Sequence, residues 1–301
     1  MMTKRVVSIS LGSSSRDKTT TLVLGEEAIQ LERIGCDGDE AKAKALYTEL
    51  DGQVDAFGVG GVELYVRVEN KNYGLRSGLN LVKTIKQTPY TDGRGLKLTM
   101  ERTIFQQVEN MLDKPVMPRR AMMPMGCDRY GMAVSLDQAG FEVVYCDLMF
   151  GLGIPIPIYG LGRLRLLASL LLPMVGLMPV SMLYPTGENQ DENIPKYEKW
   201  FNYGMVIAGD FQYIRRHMPL DLSGKIIMTN TTTSTDVALM RERGLRYLIT
   251  STPSLDGRSF GANVLEAALM AYTEKKRELT DSELQTLVKE LDLKPTVQKL
   301  N

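Results

Sequence analysis

One histidine, three cysteines and one tryptophan in 301 residues leave several chemistries without their reagents. A zinc site of the H-E-x-x-H kind needs two histidines on one helix face, and His217 stands alone. Cys36, Cys127 and Cys146 are too few and too scattered for a disulfide framework or a zinc knuckle. No metal site is therefore expected, and a reducing, cytoplasmic setting is. The apolar run in MMTKRVVSISLG is too short for a signal peptide. Charge of one sign is lacking too: Lys+Arg and Asp+Glu are both 36, so nothing draws the chain to nucleic acid. No internal repeat or low-complexity segment is visible. With 44% hydrophobic and 24% charged residues the chain reads as globular, and its length suits two domains.

What is present is a strand–helix rhythm. RVVSISL, TTTLVL and AIQLERI read as strands, the last two joined at Gly25-Glu26-Glu27. DEAKAKALYTELDG is a helix that starts on an acid and stops on glycine. VDAFGVGGVELYVRV gives two more strands, and helices follow up to Pro115-Val116-Met117-Pro118, a linker. Beyond Arg119, strands AMMPM, FEVVYC, YGMVIAG, KIIMTN and LRYLITST alternate with helices, the pattern of parallel βαβ units. The fold class is therefore α/β: an N-terminal α/β domain (1–118), then a Rossmann-like parallel-sheet domain (119–275) and a helical tail (276–301). Thr280 and Glu283 form a capping box at the tail helix. Within the second domain, residues 166–184 carry no charge, and Arg163 and Arg165 flank them. That stretch is read as a buried or interface helix pair, with membrane-surface or protein contact through 162–185 and a true span left open.

Function candidates sit on the turns. In MGCDRYGMAVSLDQAGFEVVYCD, Gly126 and Gly131 are spaced as the outer glycines of a dinucleotide-binding turn, and Asp128 replaces the middle one. Arg129 could pair with a phosphate. Asp147 lies 21 residues after Gly126, close to the spacing of about 20 at which an acid meets a ribose hydroxyl. Thr231 and Thr232, in MTNTTTSTD, lie where a parallel sheet binds ligands, or else simply precede a helix cap. Arg258, in STPSLDGRSFGAN, and Ser13 with Arg16, in GSSSRD, are candidate substrate contacts. In TDGRGLK, Asp92 and Lys97 could form a general acid/base pair. GDFQYIRRHMP packs Asp210, Tyr213, Arg215, Arg216 and His217 into one piece, and YPTGENQ is a polar site edge.

The segments RVVSISLGSSSRDK, DAFGVGGVELY, DRYGMA, LGIPIPI, LYPTGENQ, AGDFQYIRRHMP, IIMTNTTT and DGRSFGANVLEA together resemble a family of bacterial proteins known as quinate 5-dehydrogenase, over residues 4–273. The resemblance implies a substrate domain before a nicotinamide-binding domain, with a Lys–Asp pair on the substrate hydroxyl. The N-x-T-x-P-x-K stretch of the shikimate/quinate dehydrogenases proper is absent, so Lys97 and Asp92 are placeholders for that pair. The expectation is an NAD(P)-dependent oxidoreductase of a cyclic polyhydroxy acid such as quinate or shikimate, with NAD or NADP as cofactor and a homo-oligomeric assembly. Two other readings stand beside it: a non-redox Rossmann-like binding or regulatory protein, at a membrane surface or in a complex, and a nucleotide-dependent transferase.

Overall fold

Runs such as VVSIS and IIMT carry no charge on either face and are buried throughout, as suits parallel sheets covered on both sides. Two such sheets form. The computed structural model describes residues 4–178, 193–252, 254–255 and 258–301, and only the backbone of 254, 255, 258 and 259. In chain order the first part contains β1 (Lys4–Ser10), β2 (Lys18–Leu24), β3 (Glu27–Gly35), α1 (Glu40–Leu50), β4 (Ala56–Gly60), β5 (Tyr65–Val68), β6 (Lys71–Gly74), α2 (Arg76–Val82) and β7 (Tyr90–Thr91). Next come α3 (Arg94–Glu101) and α4 (Ile104–Val108), which lead out of it.

The second part continues with β8 (Arg120–Met123), α5 (Tyr130–Gln138), β9 (Glu142–Tyr145), α6 (Asp147–Leu152), β10 (Ile158–Tyr159) and α7 (Leu161–Val175). It goes on through α8 (Glu198–Tyr203), β11 (Val206–Ala208), α9 (Phe211–His217), β12 (Ile226–Thr229), α10 (Ser234–Glu242) and β13 (Tyr247–Thr250). A small hairpin, β14 (Ser254–Leu255) and β15 (Arg258–Ser259), precedes α11 (Ala262–Thr273), α12 (Asp281–Glu290) and β16 (Thr296–Lys299).

The first sheet has the order β2-β3-β1-β4-β7, and the second β10-β9-β8-β11-β12-β13-β16. β1 is parallel to β3 and β4, and β8 to β9 and β11. The architecture is thus α/β with two domains, as the strand–helix rhythm implies.

The domains do not divide where the sequence places the boundary. α11 packs on β1, β3 and β4 of the first sheet, not in the second domain. Its residues Leu265 and Ala267 to Ala271 are all buried, a broad, small-residue face that lets the helix lie close to the strands. α12 joins it, with Leu284 and Leu287 against Leu96 and Met100 of α3. The tail is more than a helix: it returns to the second sheet, where β16 pairs antiparallel with β13. Three segments therefore link the domains: β7 to β8, β13 to α11, and α12 to β16.

The uncharged stretch forms α7 and runs on into residues that lie outside the described set. Among the described residues no helix is long and apolar enough to cross a membrane. Leu161, Leu164, Ala168 and Leu172 of α7 are buried in the second domain's core.

Candidate functional site

In an open parallel sheet a crevice forms where strand order reverses, outside the carboxyl ends of the two strands concerned. In the first sheet, β1 has β3 on one side and β4 on the other, so the reversal falls at Ser10–Gly12 and Gly60–Glu63. In the second, β8 lies between β9 and β11, so it falls at Met125–Arg129 and Gly209–Phe211. Both edges open into one cleft of about 1280 Å³ between the domains.

The glycine turn after β8 is closed by protein. Asp147 accepts hydrogen bonds from Gly126 N (2.9 Å) and Cys127 N (2.8 Å), so these amides hold a carboxylate of the chain. Burial pushes the Asp147 carboxyl above its usual range, against the pull of those amides. A Cβ on Gly126 would come within 2.6 Å of the Tyr145 ring, and one on Gly131 within 2.7 Å of Glu101 Cβ. Both glycines therefore serve close packing, and Gly131 packs α5 on α3 rather than on a strand. Asp147→Ala leaves two buried amides without acceptors and is expected to lower stability by about 1–3 kcal/mol. A urea midpoint unchanged from wild type would refute this account of the turn.

Asp92 and Lys97 are not partners. Asp92 accepts from Leu64 N (2.8 Å), Tyr65 N (3.3 Å) and Arg94 N (3.2 Å), which makes it the organiser of a turn. Lys97 reaches to Glu63 and, at 3.2 Å, to Asp128. Asp128, in the place of the missing glycine, thus faces a lysine of the crossover helix α3. Lys97 and Arg129 hold its carboxyl well below the usual range against the opposing effect of burial, while burial pushes Glu63 up. Arg129 continues the network, donating to Glu101 (2.9 Å) and to Asp210 (2.5 Å). Asp210 caps α9 through Gln212 N (2.9 Å) and accepts from Asn230 Nδ2 (2.9 Å). Glu101 is fully buried, and its Oε2 has no hydrogen-bond partner among the described residues.

Thr231 and Thr232 line the cleft, while the adjacent Thr233 forms the capping box of α10 with Asp236. Ser13 is exposed and caps a single turn through Ser15 N (3.2 Å). Arg16 is exposed at the cleft rim. The side chain of Arg258 and the segment YPTGENQ lie outside the described residues. His217 packs on Phe150 with ring centroids 5.0 Å apart, and its Nδ1 is 2.9 Å from Ile194 O. Burial holds its pKa below the usual value, consistent with a structural role. Sequence reasoning missed Glu63, Glu101, Asn230 and Asn263. Asn263 donates to Ser8 Oγ (2.9 Å) across the interface of α11 and β1. Among the described residues no cluster of His, Cys, Asp and Glu could hold a metal ion.

The fold and cleft define a two-domain α/β protein with an interdomain site whose floor carries paired charges. The chain belongs to the family described as "Domain of unknown function (DUF8754)", which matches residues 95–300; residues 5–92 match "Domain of unknown function (DUF8753)". No curated protein matches it. Among solved structures, a galactofuranose-binding protein is similar at 12% identity, with a TM-score of 0.39 over 99% of this chain and 95% of that one. A protein from Mycobacterium smegmatis reaches 10% identity and a TM-score of 0.36, covering 96% and 95% of the two chains. Another from Mycobacterium smegmatis, in complex with β-D-fucofuranose, reaches 9% and 0.34, covering 90% and 85%.

The expectation of an NAD(P)-dependent oxidoreductase is corrected. In this chain the expected pyrophosphate amides hold Asp147, and the expected Lys97–Asp92 pair does not form.

Proposed function

We propose that this is a two-domain binding protein whose cleft takes a small, uncharged, hydroxyl-rich molecule. One observation carries the reading: the charged groups on the cleft floor are already paired with one another. Lys97 is matched by Glu63 and Asp128, and Arg129 by Glu101 and Asp210. An ionic group placed on this floor would have to break one of these pairs, which is costly in a partly desolvated site. A hydroxyl both donates and accepts, so it can add to a carboxylate, an ammonium or the amides of Asn230 and Asn263 without displacing any of them. Adjacent hydroxyls suit side chains that present several donors and acceptors in fixed geometry.

A thermal-stability screen against neutral monosaccharides in pyranose and furanose form tests the proposal. A ligand at a hundred times its dissociation constant adds about 2.7 kcal/mol to the folded state, so the midpoint rises. The binding variant Lys97→Met should lose that rise. If no neutral sugar or polyol shifts the midpoint, the reading fails.

A further inference from the structure

The wall of the cleft differs from its floor. Beyond Arg165, helix α7 carries no charge, and Leu166, Leu170 and Met174 are exposed on it, which is unusual for the solvent side of a helix. One face, through Leu164 and Leu172, is buried in the core of the second domain. A second face lines the cleft: Leu167, Leu171, Val175 and, just beyond the helix, Met178. Leu167, Leu171 and Val175 fall at i, i+4 and i+8, so they make one stripe running over about 12 Å at 1.5 Å per residue, and Met178 follows it. Leu148 and Leu152 of α6 also line the cleft.

The stripe is held at both ends. At one end Arg165 donates to Tyr130 (2.7 Å) and pairs with Glu69 of the first domain (2.6 Å). At the other, the Gly176 carbonyl accepts from Arg76 N (2.8 Å), and a Cβ on Gly176 would fall 2.3 Å from Gly74 O. The apolar wall is therefore built into the contact between the domains, beside the polar floor of Lys97, Asp128, Arg129 and Asp210.

We infer that the cleft takes an amphiphile: a hydroxylated head group on the charged floor and a hydrocarbon chain along Leu167, Leu171, Val175 and Met178. This rests on the reading of the cleft as a small-molecule site and names the class of molecule more closely. A purely polar ligand would leave the stripe wetted. A hydrocarbon chain laid on it gains about fourfold in affinity for each buried methylene.

The test uses the full chain and the neutral apolar dye N-phenyl-1-naphthylamine, read by its fluorescence. Saturable binding is expected, weakened at least tenfold by Leu171→Asn. Leu170→Asn, one residue away on a face that is 62% exposed, should leave it unchanged. Octyl glucoside should displace the dye at least tenfold better than octanol, which has the same chain and no sugar. Both are used below the detergent's micelle concentration, and the thermal midpoints of both variants show whether they fold.

Saturable binding lost in Leu171→Asn alone, together with the preference for octyl glucoside, supports the inference. No saturable dye binding, or equal effects of the two variants, overturns it. Equal displacement by octanol and octyl glucoside also overturns it, since the head would then have no site. In each of these failures the monosaccharide screen still decides the broader reading separately: a sugar that raises the midpoint leaves the cleft a polar binding site without a hydrocarbon channel.

Discussion

Replacing Arg129 by methionine is expected to destabilise the protein by about 3–5 kcal/mol, the range seen when one member of a buried ion network is removed. The methionine keeps most of the volume, so the loss reports charge and hydrogen bonding rather than a cavity. Arg129 touches three carboxylates: Glu101 at 2.9 Å, Asp210 at 2.5 Å and Asp128 at 3.4 Å. Glu101 is the vulnerable one, because it is fully buried and one of its oxygens has no hydrogen-bond partner among the described residues. Burial raises its pKa, and Arg129 is the largest influence holding it down. Without the guanidinium, Glu101 must take a proton or remain a buried, uncompensated charge. The companion variant Arg129→Met/Glu101→Gln should therefore recover part of the loss, giving a coupling of the size found for groups in direct contact. Urea unfolding of the four proteins in the cycle measures it. A loss below about 1 kcal/mol for Arg129→Met, or strict additivity in the double variant, would show that the network does not hold the domains in register.

Much of the fold could be read locally because its signals are local. Asp39 accepts from Ala41 N and Lys42 N and starts α1, and the Thr280–Glu283 capping box starts α12. The β2–β3 hairpin turns at Gly25, whose φ of +60° is one that glycine adopts without strain. What could not be read is where amphipathic elements go. The burial pattern of α11 fits a helix on any sheet, and only the topology sends it back to β1 and β4. The strand TVQK has three half-buried residues and one exposed, so no alternation marks it as the edge of a sheet.

The candidate site was half legible for the same reason. The turns after β8, β11 and β12 announce themselves by glycine, Asp210 and a threonine run, and all three meet in the cleft. Glu63 and Glu101 carry no motif. They become site residues because the crossover helix α3 lies under α5, an approach permitted by Gly131 and invisible in a linear pattern. Asp147 shows the opposite failure: its spacing from Gly126 is real, and the spacing serves a bond between the two residues themselves.

The stability of the protein should fall as pH rises from about 4.5 to about 7, with Glu266 as a principal cause. This carboxyl sits in α11, buried against the exit of the first sheet. It accepts from Thr91 Oγ1 (2.7 Å) and Leu96 N (2.6 Å), so it joins β7, α3 and α11 at the linker between the domains. Desolvation pushes its pKa up to about 7 from an ordinary 4.5, and the two hydrogen bonds oppose that rise only in part. Nearby Asp92 adds to the rise and Arg94 works against it. A carboxyl whose folded pKa is raised binds more protons folded than unfolded between the two values, so stability decreases with pH across that window. At 1.36 kcal/mol per unit the full difference is about 3 kcal/mol, absent below pH 4.5 and complete above pH 7. Glu266→Gln should match wild type near pH 4.5 and exceed it near pH 8. Glutamine can still accept from Leu96 N, and its amide can donate to Thr91 Oγ1. Glu101 titrates in the same direction, so the informative quantity is the difference between the two proteins at each pH, not the wild-type slope. Parallel stability curves from pH 4.5 to 8 would mean that Glu266 is charged throughout, held by its two donors. Convergence at the acid end, with a gap opening toward pH 8, would mean that the linker between the domains carries a proton that ordinary solution conditions can remove.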